Sequence, residues 1–210
     1  MNILAIGAHI DDVELGCGGT LIKHARHGEV VHIMILCDSA YSAPDGTVIR
    51  RADTARAEAE QSAAIIGATL TILPNKNFYI DCDEKMVSAI LAYIQKNNID
   101  TIYAHWPHDT HLDHVNAAKA SMMAGRLVPR FLMYQSNWYV STEIFRNNFF
   151  VDITNTFDTK MQTIKCFKTE LHRVHNAWID YFTNKCINDG MLIGVNYAES
   201  FEILRYLMPD

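Results

Sequence analysis

The sequence predicts an α/β fold: a three-layer α/β/α sandwich built on a mostly parallel, Rossmann-like sheet. Three observations carry this. Apolar runs of strand length at residues 2–6, 30–37, 69–73 and 99–104 are separated by stretches with helical spacing, the pattern of βαβ units. The run VVHIMILC is continuous rather than alternating, as in a strand covered on both faces. Residues that carry chemistry gather just after two of the runs, where open α/β sheets place their ligands.

The elements follow in order. Asn2 to Ile6 is a buried strand closed by Gly7. Leu21, Ile22 and Ala25 recur at helical spacing, and Gly28 suits the helix end at His27. The stretch 38–48, DSAYSAPDGTV, is turn-rich and begins at a strand end, which makes it a rim of any site there. Ala55, Ala59, Ala63 and Ile66 form the core side of a charged helix that opens near Arg50. Thr69 to Leu73 is a short strand, and Asp83 caps a helix over 84–97. The strand 99–104 is followed by a helix over 115–126 that stops at Pro129. Residues 130–135 make a fifth strand, 149–153 another short one, and helices are expected from Thr154 or Asn155 to about His175 and over 178–193.

Length and composition bound the function. With 210 residues, 49% of them hydrophobic, the chain is expected to form one domain over 1–210. Eighteen Lys and Arg against 24 Asp and Glu, with no basic run, argue against a nucleic-acid partner. No stretch approaches the roughly 18 apolar residues of a membrane span, and the chain opens on a core strand rather than a leader, so it is expected to be cytoplasmic. Five scattered cysteines without CxxC spacing indicate neither a disulfide framework nor a cysteine metal site.

Two clusters carry the chemistry. His9, Asp11 and Asp12 follow the first strand; imidazole and carboxylate together suit zinc and similar divalent ions. His9 and Asp12 can share a metal while Asp11, pointing elsewhere, serves as a base. The same two aspartates also suit a helix N-terminus, with Glu14 adding charge in its first turn. The second cluster, HWPHDTHLDH at 105–114, holds four of the ten histidines. Two such strand ends meeting across a crevice complete a three-ligand site with an open position, the catalytic form of zinc.

These residues, HIDD then GCGGTL and later HLDH, resemble the LmbE/PIG-L-like zinc de-N-acetylases, with Ile10 where that family usually has proline. VDIT at 151–154 and GVNYAESFEI at 194–203 resemble its later landmarks. The resemblance implies removal of an N-acetyl group from an N-acetylglucosamine-type amino sugar or conjugate, a small-molecule partner. It implies one zinc ion per chain held by His9, Asp12 and His114, with Asp11 as base. It also implies that His111 stabilises the oxyanion or protonates the leaving amine, with Asp113 orienting His111 and Asp109 supporting a histidine. For a substrate-binding arginine it offers Arg51, counting from the Asp-Gly turn, or Arg56, counting back from IIGA; Tyr197 is also implied at the site. Trp138 and Tyr139 suit either sugar stacking or packing over the sheet edge. A homo-oligomer, trimer or hexamer, is implied as well. The same centre would also serve a metal-dependent hydrolase of another amide, an ester or a phosphate.

Overall fold

The computed structural model describes residues 1–208. Its elements are β1 (Asn2–Gly7), α1 (Asp12–Arg26), β2 (Val30–Ile35), β3 (Tyr41–Ser42), β4 (Val48–Arg50), α2 (Ala52–Ile66), β5 (Thr69–Ile72) and α3 (Glu84–Lys96). There follow β6 (Thr101–His105), α4 (Leu112–Ala124), β7 (Arg130–Tyr134), β8 (Phe149–Asp152), α5 (Phe157–Ile164), α6 (Lys168–Arg173), α7 (Ala177–Ile193) and β9 (Ala198–Tyr206).

Seven strands form one sheet in the order β5-β2-β1-β6-β7-β9-β8. The first five are parallel, and β9 pairs antiparallel with both β7 and β8, so the sheet is mixed but mostly parallel. The chain steps outward from β1 through β2 to β5, then returns to lay β6 on the other side of β1. That reversal opens a crevice between the carboxyl ends of β1 and β6.

Alternating strand residues feed two cores. Leu4, Ile6, Ile102 and Met133 pack under α3 and α4, while Ile3, Ala5, Ile33 and Leu132 pack under α1 and α2. This is the three-layer sandwich expected. A third core of Leu15, Ile153, Phe157, Phe182 and Cys186 joins α1 to α5 and α7.

The glycines of α1 permit this closeness. A Cβ on Gly16 would stand 2.1 Å from the Tyr134 ring, and one on Gly19 would stand 2.9 Å from Ile153. Into the space so opened, β9 sends Glu199, whose carboxylate accepts from Gly19 N at 2.9 Å, Thr20 N at 2.7 Å and Lys160 Nζ at 2.6 Å. Lys160 also donates to Leu15 O at 2.9 Å. A buried ion pair thus binds β9 and α5 to the helix that carries Asp12.

The structure departs from expectation in three places. The helix expected over 154–175 is two helices, because fully buried Phe167 turns the chain inward and Glu58 of α2 caps α6 by accepting from Thr169 N and Oγ1. The GVNYAESFEI landmark is largely the nine-residue strand β9; its buried Glu199 and Ser200 break the apolar run that marks a strand. The turn-rich rim folds as the hairpin β3–β4, which places Arg50 on a strand and starts α2 at Ala52.

Candidate active site

β1 ends at Gly7, where a Cβ would meet His9 O at 2.9 Å, so the chain can turn tightly into His9 and α1. Asp11 stands at the N-cap of α1 but makes no side-chain cap bond, so the capping reading fails for it. Asp12 Oδ2 instead accepts from His9 N at 2.7 Å, and its Oδ1 accepts from Ser136 Oγ at 2.8 Å. Across the crevice, α4 begins with His111 as N-cap, its Nδ1 accepting from Asp113 N at 3.2 Å. This brings His111 and His114 to one side of the helix, stacked at 4.7 Å.

Donor atoms of three side chains converge, Asp12 offering both of its oxygens. His9 Nδ1 lies 3.3 Å from Asp12 Oδ2 and 3.2 Å from His114 Nε2, and His114 Nε2 lies 3.2 Å from Asp12 Oδ1. A tetrahedral centre with bonds of about 2.1 Å spaces its donors about 3.4 Å apart, so the trio fits one zinc-sized ion. Two further histidines are close enough to compete. His105 Nε2, 3.2 Å from Asp12 Oδ2, also accepts from Ala8 N at 3.0 Å, which occupies the lone pair a metal would need. His111 has its Nδ1 engaged by Asp113 N and only Nε2 left.

Each of the two histidines has a carboxylate behind it. His9 Nε2 donates to Asp113 Oδ2 at 3.1 Å, and His114 Nδ1 to Asp109 Oδ2 at 3.1 Å, which fixes the tautomers that free His9 Nδ1 and His114 Nε2. Asp109 therefore supports a histidine as expected. Asp113 does not orient His111 through its carboxylate: that carboxylate holds His9 and accepts from Phe78 N at 2.7 Å and Ile80 N at 3.3 Å, and only the Asp113 backbone touches His111. Asn137, in the segment that follows β7, donates to Asp109 at 2.7 Å and so supports His114 indirectly.

Electrostatics separate the two neighbouring aspartates. Burial raises Asp11 to about 6, although the Arg50 guanidinium opposes the shift. Burial acts the same way on Asp12, but the charges of His114 and His105 outweigh it and hold Asp12 well below the usual carboxylate range. Burial works against protonation of His9 and His114, yet Asp113 and Asp12 raise the first to about 10, and Asp12 and Asp109 raise the second to about 9. Burial lowers His111 to about 4, and positive charge on His114 and His9 acts in the same direction. Glu14 does not supply first-turn charge: it is buried against Ser62, and burial lifts it to about 8, so it holds its proton at neutral pH.

His9, Asp11, Asp12, His111 and His114 all line one cavity of about 260 Å³, with Trp138 and Tyr139 on its wall. Arg51, Arg56 and Tyr197 do not line it. Arg51 is exposed and paired with Asp53 at 3.1 Å, Arg56 is exposed and paired with Glu60 at 3.7 Å, and Tyr197 stacks on Phe157 at 3.7 Å in the third core. The arginines that reach the cavity are Arg173 and Arg50, the latter buried, with Nη1 3.2 Å from Asp11 Oδ2 and 3.3 Å from Glu170 Oε1. The β3–β4 hairpin turns Arg50 inward and its neighbour out. Glu170 was not apparent from the sequence, where it sits among helical charges; its burial between Arg50, Tyr41 and Arg173 exists only in the folded chain.

A family model described as "PIG-L: GlcNAc-PI de-N-acetylase" matches residues 4–124, which include both clusters. An uncharacterized deacetylase of Escherichia coli, YaiS, is 34% identical over 65% of this chain and 76% of its own length. Diacetylchitobiose deacetylase of Thermococcus kodakarensis is 23% identical over 97% of this chain and 83% of its own. The solved N,N'-diacetylchitobiose deacetylase of Pyrococcus horikoshii superposes with a TM-score of 0.84 at 20% identity, over 97% of this chain and 83% of that one, a likeness of fold.

Proposed function

Because the chain belongs to the PIG-L family of deacetylases, we propose that it is a zinc-dependent hydrolase that removes the N-acetyl group from an N-acetylglucosamine-type amino sugar or its conjugate, releasing acetate. The observation that carries this is the convergence of His9 Nδ1, His114 Nε2 and the two oxygens of Asp12 at contacts of 3.2–3.3 Å, with Asp11 beside them in the same cavity.

Zinc bound there would supply Lewis acidity toward the amide carbonyl and lower the pKa of water to about 7. Asp11 takes the proton of the attacking water; at about 6 its carboxylate is mostly ionised at neutral pH yet basic enough to accept. Arg50 donates to Asp11 Oδ2 at 3.2 Å, and no group among the described residues donates to Oδ1. With its Nδ1 accepting from Asp113 N, neutral His111 carries its proton on Nε2, available to the oxyanion or to the departing amine. Trp138 and Tyr139 offer faces for a sugar ring.

No observation favours an ester or phosphate substrate over an amide, and turnover decides it. Purified protein loaded with zinc is incubated with N-acetylglucosamine and N,N'-diacetylchitobiose, and acetate is measured. Acetate release that a chelator abolishes supports the reading; turnover of an ester or phosphate substrate with no acetate from either sugar refutes it.

No helix among the described residues is long and apolar enough to cross a membrane. We place the protein in the cytoplasm, as one catalytic domain that assembles into a trimer or hexamer. Light scattering that gives a monomer mass across a concentration range would overturn the assembly.

A further inference from the structure

Beyond the donor trio the cavity has a second polar end, built on α6. Glu170 is buried, with Oε1 accepting from Tyr41 Oη at 2.8 Å and lying 3.3 Å from Arg50 Nη1. Its Oε2 receives Arg173 through Nε at 2.7 Å and Nη2 at 2.5 Å. Arg173 Nη1 makes no hydrogen bond among the described residues, and the side chain is 40% exposed. Its guanidinium lies over the Trp178 ring at 6.0 Å, and both residues line the cavity.

This placement is enforced. His175 and Asn176 are consecutive residues at positive φ, 50° and 60°, and they turn the chain so that the end of α6 faces the start of α7. Glu58 fixes the other end of α6 through Thr169. A guanidinium needed only to neutralise Glu170 has no reason to keep an open edge. Arg50 already serves that carboxylate through Nη1, with Nε on Ser39 O at 2.7 Å, and its side chain is only 3% exposed. Glu170 is the one carboxylate at this end, against two guanidiniums; the other lining carboxylates, Asp11 and Asp12, belong to the reaction centre. Three consecutive contacts, Asp11 to Arg50 to Glu170 to Arg173, run from the base to the open edge along one wall of the cavity.

Resting on the deacetylase reading, we infer that Arg173 is a specificity-determining residue that binds an anionic group, phosphate or carboxylate, carried by the part of the substrate beyond the N-acetylated sugar. Planar Trp178 beneath it keeps the guanidinium in place and partly dry, which strengthens a charge-assisted hydrogen bond.

The test compares N-acetylglucosamine 1-phosphate with neutral N,N'-diacetylchitobiose, by acetate release and by calorimetric binding, on zinc-loaded wild type, Arg173→Gln and Arg173→Lys. The wild type should favour the phosphate in kcat/KM or in affinity. Arg173→Gln should lower the phosphate-to-neutral ratio about tenfold, the loss of one charge-assisted hydrogen bond, and Arg173→Lys should retain most of it. An equal effect of Arg173→Gln on both sugars, or a wild type without preference for the phosphate, overturns the inference. If neither sugar releases acetate, the deacetylase reading falls, while the binding ratio still decides the role of Arg173.

Discussion

At one end of the cavity, His9, Asp11 and Asp12 come from four consecutive residues and His111 and His114 from four others. At the other end, Arg50, Glu170 and Arg173 come from a hairpin strand and from a six-residue helix more than a hundred positions away. The first end is assembled by two short segments, each anchored at the carboxyl end of a parallel strand, so its geometry is largely local. The second depends on where α6 docks, and that is set by Glu58, Phe167 and the turn at His175–Asn176. Chemistry that needs fixed atoms sits on the sheet, and recognition sits on the wall that the later helices provide.

This contrast can be broken most sharply at the metal end. His9→Ala and His114→Ala should each lose zinc by elemental analysis, with acetate release falling to background; stoichiometric zinc in both would refute the trio. Next in size, Asp11→Asn should slow turnover by roughly 10²–10⁴-fold while zinc content holds. Asp12→Asn should weaken both on the same assay, and the reverse pattern would exchange the roles of the two aspartates. Asp109→Asn and Asp113→Asn should each weaken zinc by roughly 10–100-fold in chelator competition. An unchanged affinity in Asp113→Asn would show that its bond to His9 is idle.

The far end is sharpened by two adjacent arginines. Arg50→Met strands Asp11 as a buried carboxylate, while Glu170 keeps Arg173 and Tyr41, and should cost about 3–5 kcal/mol in urea unfolding at fixed zinc. Arg51→Met removes only an exposed pair with Asp53 and should stay within about 0.5 kcal/mol. Similar losses at both positions would mean that the inward and outward assignment of the hairpin is wrong.

The sequence by itself determined the α/β/α fold, the strand ends that carry the two His/Asp clusters, and the meeting of those clusters in one crevice. All of these follow from apolar periodicity and from residue chemistry within a few positions. Position along the chain did not settle which arginine enters the site, because β4 ends at Arg50, Arg51 continues it in extended backbone, and successive extended residues face opposite ways, so a shift of one residue exchanges buried Arg50 for exposed Arg51. Nor did it reveal β9, whose buried Glu199 is tolerable only because Lys160 and the amides of Gly19 and Thr20 meet it in space. The partner of Asp113 was likewise decided by tertiary structure, since α4 aims its carboxylate across the crevice at His9 rather than back along its own helix. Charges are legible in a sequence, but the groups that neutralise them after burial come from distant segments, and only the folded chain brings them together.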